Sequence, residues 1–235
     1  MAVLLISLCA SCTTPPPVVK SLPPQEVLER HQSTLLGFSE RLERQVKKDR
    51  DPEAEDWICR MVERLSASLK DRVFLPRECS LIQAVASQWR SFSIPYGGLY
   101  LSTDVLRGVR LEAEVAAVIA LELANLDRGL LIRKLEASLV LKQSAFEVFE
   151  FSEDERLESV GTAVDLLYQT GYDPRALVSL LQFFDKNRKF APYTPELIGK
   201  LLEKARRTIA LRAPLSNPIL RSAEFARVQK GIRKL

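Results

Sequence analysis

Hydrophobic residues recur at helical spacing along most of this chain. Residues 26 to 48 mix apolar positions with many charges, which is typical of an amphipathic helix. A second helix is predicted to begin at Asp51-Pro52, because the apolar residues of EAEDWICRMVERLSASL fall on one face. A further helix is predicted for LEAEVAAVIALELANL, which is hydrophobic on most sides and should therefore be central and buried.

A different pattern interrupts the helices between residues 79 and 102. CSLIQAVAS has a strand-like apolar core, and IPYGGLYLS places two glycines before a short β-prone run from Leu99 to Ser102. Further on, TGYDP combines a glycine that can end one helix with a proline that can start the next. The pattern predicts a mostly α chain with a small β-sheet, which is an α+β fold.

Composition indicates the size of the domain and where its excess charge lies. The chain has 235 residues, 46% hydrophobic and 27% charged, so it can bury a substantial core. We predict an N-terminal helix over residues 25 to 50 and one main domain over residues 51 to 235. The net charge is +4, yet residues 201 to 235 alone hold nine Lys or Arg against two Glu. This basic segment has one aromatic residue, Phe225, and lacks the stacking residues of a single-strand binder, so we predict no nucleic-acid partner.

The histidine count restricts the chemistry more than any motif does. The chain has one histidine, His31, within the first predicted helix. A histidine cluster for metal binding and a histidine-based catalytic triad are therefore both excluded from the main domain.

The N-terminal sequence MAVLLISLCASCTTPPPVV resembles a bacterial lipoprotein signal. A short apolar run leads into small residues and Cys12, the position at which such signals are cleaved and acylated. We predict a signal over residues 1 to 12, a lipid anchor on Cys12 and a proline-rich tether over residues 13 to 24. The protein would then face the periplasm from the cell envelope, with Thr13 favouring the outer membrane by analogy. An unstructured N-terminus with two unrelated thiols is the alternative.

Two further cysteines, Cys59 and Cys79, lie within the main domain. In an oxidising periplasm they can form a disulfide, because that compartment does not keep thiols reduced. Two buried free thiols are the alternative that the sequence leaves open.

Four stretches of the main domain follow one another in an informative order. They are SIPYGGLYLSTDVL, EAEVAAVIALELAN, ESVGTAVDLLYQTGYDP and NPILRSAEFARVQKGIRKL. Their order and separation resemble those of the HtpX- and BepA-like zinc metallopeptidases, which are gluzincins. The resemblance implies a gluzincin-like metallopeptidase domain. In that family the buried helix carries an H-E-x-x-H motif, and a glutamate on a later helix supplies the third zinc ligand.

The resemblance implies a zinc site whose ligands are missing here. Glu122 takes the general-base position and Glu158 takes that of the third ligand, but Leu121 and Asn125 stand where the two histidines belong. A leucine has no lone pair, and a carboxamide is a poor substitute for imidazole. We therefore predict no cofactor and no hydrolysis, because Glu122 has no metal-activated water to deprotonate.

Three interpretations of this region stay open. Glu122 and Glu158 can be ordinary helix residues. Together with Asp127, they can support residual hydrolysis with Mg²⁺ or Mn²⁺. The cleft can also bind an extended peptide along a strand edge. The residues of this predicted edge are Gly97, Gly98, Leu99, Tyr100 and Leu101.

The predicted function is that of a catalytically inactive, metallopeptidase-like lipoprotein. By resemblance, it acts as a binding, adaptor or chaperone-like protein, with envelope or outer-membrane proteins as its partners. An active zinc metalloendopeptidase of envelope quality control is one alternative, and a purely structural lipoprotein is the other.

Overall fold

A series of helices and a small mixed sheet build the fold in a computed structural model that describes residues 24–69, 75–83, 91–95, 97–134, 149–188 and 191–233. The helices are α1 (Pro24–Glu43), α2 (Pro52–Ser66), α3 (Thr103–Gly108), α4 (Glu112–Asp127), α5 (Glu153–Gln169), α6 (Arg175–Lys186), α7 (Pro195–Ala210) and α8 (Ala223–Ile232). The strands are β1 (Lys48–Asp49), β2 (Glu78–Ile82), β3 (Ser91–Ser93) and β4 (Gly98–Ser102). The predicted α+β class is therefore confirmed. The predictions for residues 1 to 23, including the lipid site at Cys12, lie outside the described residues.

Helix boundaries follow local signals in the sequence. Asp51 caps α2 by accepting a hydrogen bond from the backbone N–H of Ala54 at 3.1 Å. Such a cap satisfies an N–H that has no partner inside the helix. After α5, Gly171 has a φ of 82°, a left-handed conformation that glycine adopts readily, and Pro174 directly precedes α6. The stop and restart predicted from TGYDP are confirmed.

The sheet has the strand order β1-β2-β4-β3, with β2 and β4 parallel and the outer pairs antiparallel. β4 is an interior strand, because Tyr100 lies opposite Ser80 of β2 on one side and opposite Phe92 of β3 on the other. The prediction that residues 97 to 101 form a free edge is therefore wrong. Among the described strands, the outer position beside β4 belongs to β3, which the sequence pattern did not predict.

The N-terminal helix is part of the same core as the rest of the chain. α1 ends at Glu43 rather than near residue 50, and Leu35, Phe38 and Leu42 are buried in the common core. The Tyr100 hydroxyl of β4 donates a hydrogen bond to Glu43. α1 therefore packs against the sheet.

Helix α4 is the centre of the packing. It contacts α2, α5, α6 and β3, and almost all of its residues are buried. Five alanines are fully buried on this helix, and their small side chains let neighbouring elements approach its backbone closely; they are Ala113, Ala116, Ala117, Ala120 and Ala124. Among the described helices, none combines the length and the hydrophobicity that a membrane crossing needs.

The C-terminal segment ties distant parts of the chain together. The Ile219 N–H donates to the Gly171 carbonyl at 2.8 Å, after the end of α5, and the Ala113 N–H at the start of α4 donates to the Leu220 carbonyl at 3.2 Å. In α8, the Gln229 side-chain amide donates to the Val109 carbonyl at 2.8 Å. These bonds hold the beginning of α4 and the end of α5 in place.

Candidate functional site

Glu122 projects from α4 towards strand β3. The Ser91 hydroxyl donates a hydrogen bond to Glu122 Oε1 at 2.9 Å. The Ser93 hydroxyl lies 3.3 Å from the Glu122 carbonyl oxygen and 3.4 Å from Glu122 Oε2. Because both serines belong to one short strand, β3 fixes the orientation of the carboxyl group.

A cavity of about 450 Å³ opens beside Glu122. Its walls come from β3, from α4, from the segment before α5, from α5 itself and from the loop that leads into α7. Its volume lies within the range of about 300 to 1,000 Å³ that is usual for small-ligand sites. Aromatic and polar side chains both face it, among them Phe92, Glu122, Asn125, Phe151, Arg156 and Tyr193.

Arg156 brings a positive charge into this cavity from α5. Its Nε donates to the Phe151 carbonyl at 3.0 Å, and its Nη2 lies 3.5 Å from the Phe149 carbonyl. The guanidinium carbon lies 4.9 Å from the centre of the Tyr193 ring and 5.8 Å from that of Phe151. Hydrogen bonds and cation–π contacts thus hold the guanidinium in one orientation.

Burial controls the titration of two groups in the cavity wall. It raises the pKa of Glu122, and this effect outweighs the opposing influence of Ser91, of the Arg156 charge and of Asn125. Burial likewise raises the pKa of Tyr193, against the lowering effect of Arg156. The cavity therefore favours the neutral form of its carboxyl group.

The structure separates the carboxylates that the resemblance placed together. Asn125 lines the cavity with Glu122, and Leu121 is buried beside it. Glu158 is not in the cavity wall. Its side chain is 57% exposed and forms an ion pair with Arg128. Asp127 lies at the end of α4 and is likewise not part of the wall.

The residues that line the cavity do not fit a zinc ion. Glu122 offers one carboxylate, Asn125 offers a carboxamide, and Arg156 places a guanidinium among them. Zinc is held by histidine, cysteine or carboxylate ligands, and a fixed positive charge repels a dication. Within the described ranges, no group of three His, Cys, Asp or Glu is arranged to hold a metal ion.

Arg156 was not among the predicted site residues, although its position in the helical repeat places it on the buried face of α5. The buried face of α5 includes Val160, Ala163 and Leu167. Arg156 lies four, seven and eleven residues before these positions, and all three spacings keep a residue on the same face of a helix. Glu158 is off that face, so α5 presents the arginine to α4 and turns the glutamate away. The serines of β3 carried no comparable signal.

A disulfide joins helix α2 to the sheet. Cys59 of α2 and Cys79 of β2 are bonded through their sulfurs, with their Cα atoms 5.5 Å apart. This separation is within the usual range for disulfides. The bond connects the helix next to α4 with the strand that pairs with β4.

Comparison of the sequence with known protein families and with characterised proteins gives no match.

Proposed function

We propose that this chain is a metallopeptidase-like envelope lipoprotein whose cavity binds extended polypeptide without cleaving it. The observation that carries the proposal is the cavity beside Glu122, which has a strand on one side and a fixed cation on the other. The arrangement resembles a peptidase cleft in its parts, since a central helix, a neighbouring strand and a following helix surround one carboxyl group.

The side chains argue against hydrolysis through zinc. Leu121 and Asn125 cannot replace a pair of imidazoles, and Arg156 brings a cation into the same cavity. Glu122 therefore has no activated water to deprotonate, and its hydrogen bonds from β3 serve to orient it. The role that remains for this cavity is binding.

The mode of binding follows from the backbone of β3. The Ile94 N–H donates to the Gly98 carbonyl at 3.0 Å. The backbone N–H and C=O groups of Ile94, and those of Phe92 two residues earlier, therefore point towards β4. Residues alternate in an antiparallel pair, so the backbone groups of Ser91 and Ser93 point away from β4. An added peptide strand would pair with these groups at the border of the cavity.

The envelope location belongs to the same proposal. A lipid on Cys12 and a proline-rich tether over residues 13 to 24 would hold the cavity near a membrane surface. The partners would then be envelope or outer-membrane proteins, whose strands are extended before they fold. The domain would act on them as an adaptor or chaperone-like protein, with no bound nucleic acid.

The test is a backbone scan of a bound peptide. We would measure the affinity of the full chain for a doubly capped heptapeptide of alternating valine and threonine, with single N-methyl groups at successive positions. Pairing with Ser91 and Ser93 predicts weaker binding at two peptide positions that are two residues apart, by about fivefold for each lost hydrogen bond of about 1 kcal/mol. Absence of binding, or losses without a two-residue period, would reject the proposed mode.

A second arm of this experiment addresses cleavage. The same peptide is incubated with the protein and zinc and then examined by mass spectrometry, with Glu122→Gln as the comparison. We expect an intact peptide in both samples. Zinc-dependent cleavage that disappears in Glu122→Gln would show an active peptidase and overturn the proposal.

A further inference from the structure

Arg156 is built into the cavity by contacts that do not cancel its charge. Its hydrogen-bond acceptors are the backbone carbonyls of Phe149 and Phe151, which carry no formal charge. The ring of Tyr193 covers one face of the guanidinium at 4.9 Å. A side chain anchored in this way keeps its positive charge available to a molecule in the cavity.

The acidic side chains of the cavity wall do not form an ion pair with Arg156. Glu122 accepts its hydrogen bonds from β3, and Glu150 is exposed. Within the described part of the chain, no carboxylate lies within ion-pair distance of the guanidinium. The nearby ion pairs are instead formed by Arg128 with Glu158 and by Arg133 with Glu155.

We propose that this cavity recognises a carboxylate on the bound polypeptide through Arg156, and that this carboxylate is the chain terminus. Arginine binds carboxylates in a planar, often bidentate geometry, and these hydrogen bonds are stronger than those between neutral groups. The aromatic and apolar wall formed by Phe92, Tyr193 and Leu197 suits an apolar final residue. Arg156 thus supplies a fixed cation in a cavity whose donor set does not suit zinc. This inference rests on the proposed binding function and names the end of the peptide that is bound.

A terminus suits the geometry better than an internal residue does. The cavity holds about 450 Å³, enough for a short piece of peptide. β3 has three residues, so few backbone hydrogen bonds are available there. Because β3 is so short, its hydrogen bonds fix the register of an added peptide strand only weakly. An ion pair between Arg156 and the end of the peptide would fix that register.

The experiment compares three peptides of one sequence that end in an apolar residue. The first has a free carboxylate at its C-terminus, the second has a carboxamide there, and the third has the carboxamide and an internal glutamate. Affinities are measured by fluorescence anisotropy for the full-length wild type, Arg156→Gln, Arg156→Lys and Arg206→Gln. Arg206 is exposed on α7, so its substitution makes the same change of charge away from the cavity.

We expect the free carboxylate to bind at least tenfold more tightly than the carboxamide to the wild type and to Arg206→Gln. Arg156→Gln should remove this difference, and Arg156→Lys should keep part of it, because lysine retains the charge but not the planar donors. Circular dichroism verifies that each variant is folded. If Arg156→Gln does not fold, the comparison of the free carboxylate with the carboxamide on wild type and Arg156→Lys decides the question.

The outcomes separate this inference from the function on which it rests. Equal binding of the free carboxylate and the carboxamide would overturn carboxylate recognition and leave peptide binding intact. Equally tight binding of the glutamate peptide would overturn the assignment to the chain terminus. If none of the three peptides binds, the proposed binding function itself is rejected.

Discussion

At the scale of single residues, Glu122 is a carboxyl group whose burial opposes its charge. Its pKa is raised in the folded chain, chiefly by desolvation, so the folded state binds the proton more tightly than the unfolded state does. Stability from this group is therefore fully present below its ordinary pKa and is lost as the pH rises through the folded value. Once the pH is high enough to ionise the buried carboxyl group, its charge is a net burden on the fold.

We predict that Glu122→Gln stabilises the protein, and more so at pH 8 than at pH 4. Glutamine keeps the acceptor for Ser91 but carries no charge to desolvate. The measurement is the free energy of urea unfolding across this pH range, with Glu196→Gln at an exposed position as the matched control. A stability difference that stays constant with pH would contradict the role of burial.

The disulfide between Cys59 and Cys79 gives a second prediction at this scale. Its cysteines are 20 residues apart, and cross-linking a loop of this length stabilises a fold by about 3 kcal/mol in the chain-entropy view. Reduction, or the double substitution to alanine, should lower the free energy of unfolding by that amount. Mass spectrometry without reductant should show a protein two hydrogens lighter than the reduced form, and equal masses would contradict the bond.

The misfit between the cavity residues and zinc supplies a third prediction, which tests whether residue 156 or Glu158 faces the cavity. Introducing two histidines with Leu121→His and Asn125→His should not create a zinc site while Arg156 remains. Adding Arg156→Glu should yield one bound zinc per chain, because it replaces the cation with a third ligand. Native mass spectrometry reads the outcome, with Arg206→Glu in the histidine background as the control. Zinc binding without the change at Arg156 would show that Glu158 reaches the site.

The candidate site was predictable in part. The stretch LELAN drew attention to Glu122 and Asn125, and both line the cavity, because residues three apart on a helix share a face. Whether Arg156 or Glu158 of α5 faces Glu122 depends on how that helix is rotated about its axis. The buried hydrophobic face of α5 sets this rotation, and the order of motifs along the sequence does not. Tyr193 lies in a loop, and the two serines lie in the three-residue strand β3. Neither segment is long enough or regular enough to give a repeating hydrophobic pattern in the sequence.

At the scale of secondary-structure elements, strong local signals were reliable and pairing was not. The caps at Asp51 and the TGYDP turn set helix ends correctly, since these effects act within one or two turns of the chain. The β-prone run of β4 was also found. The strand-like stretch CSLIQAVAS contains most of β2, the neighbour of β4 on one side. Strands β3 and β1 were not predicted, because β3 pairs with β4 through only three residues and β1 is only two residues long. Strand order is decided by tertiary contacts.

Gly171 offers a prediction about one such helix end. It has a φ of 82°, so alanine there should destabilise the protein by about 1 kcal/mol through backbone strain. Gly199 lies in α7, where a methyl group would meet no neighbouring element, and its change to alanine should stabilise by about 0.5 to 1 kcal/mol. Thermal unfolding of the two variants should give shifts of opposite sign. Shifts of the same sign would contradict this account.

At the scale of the whole molecule, the proposed lipid anchor decides where the cavity acts. Cys12→Ser should move the protein from the membrane fraction to the soluble fraction, because it removes the thiol that the proposed acyl anchor would modify. Cys9→Ser is the matched control and should leave the distribution unchanged. The measurement is the share of protein in each fraction after ultracentrifugation. An unaltered distribution for Cys12→Ser would contradict the signal assignment.

The bonds made by the C-terminal segment have a consequence for the order in which this chain can fold. Gln229 bonds to Val109 across 120 residues, and Arg60 bonds to Glu224 across 164. Contacts between such distant residues form slowly, because closing so long a loop costs conformational entropy before the contact can stabilise the chain. A ribosome or a translocation pore delivers α8 after every other described helix. During synthesis, the chain therefore lacks the hydrogen bonds made by its C-terminal segment. Premature termination of translation would yield a product in which the start of α4 remains uncovered.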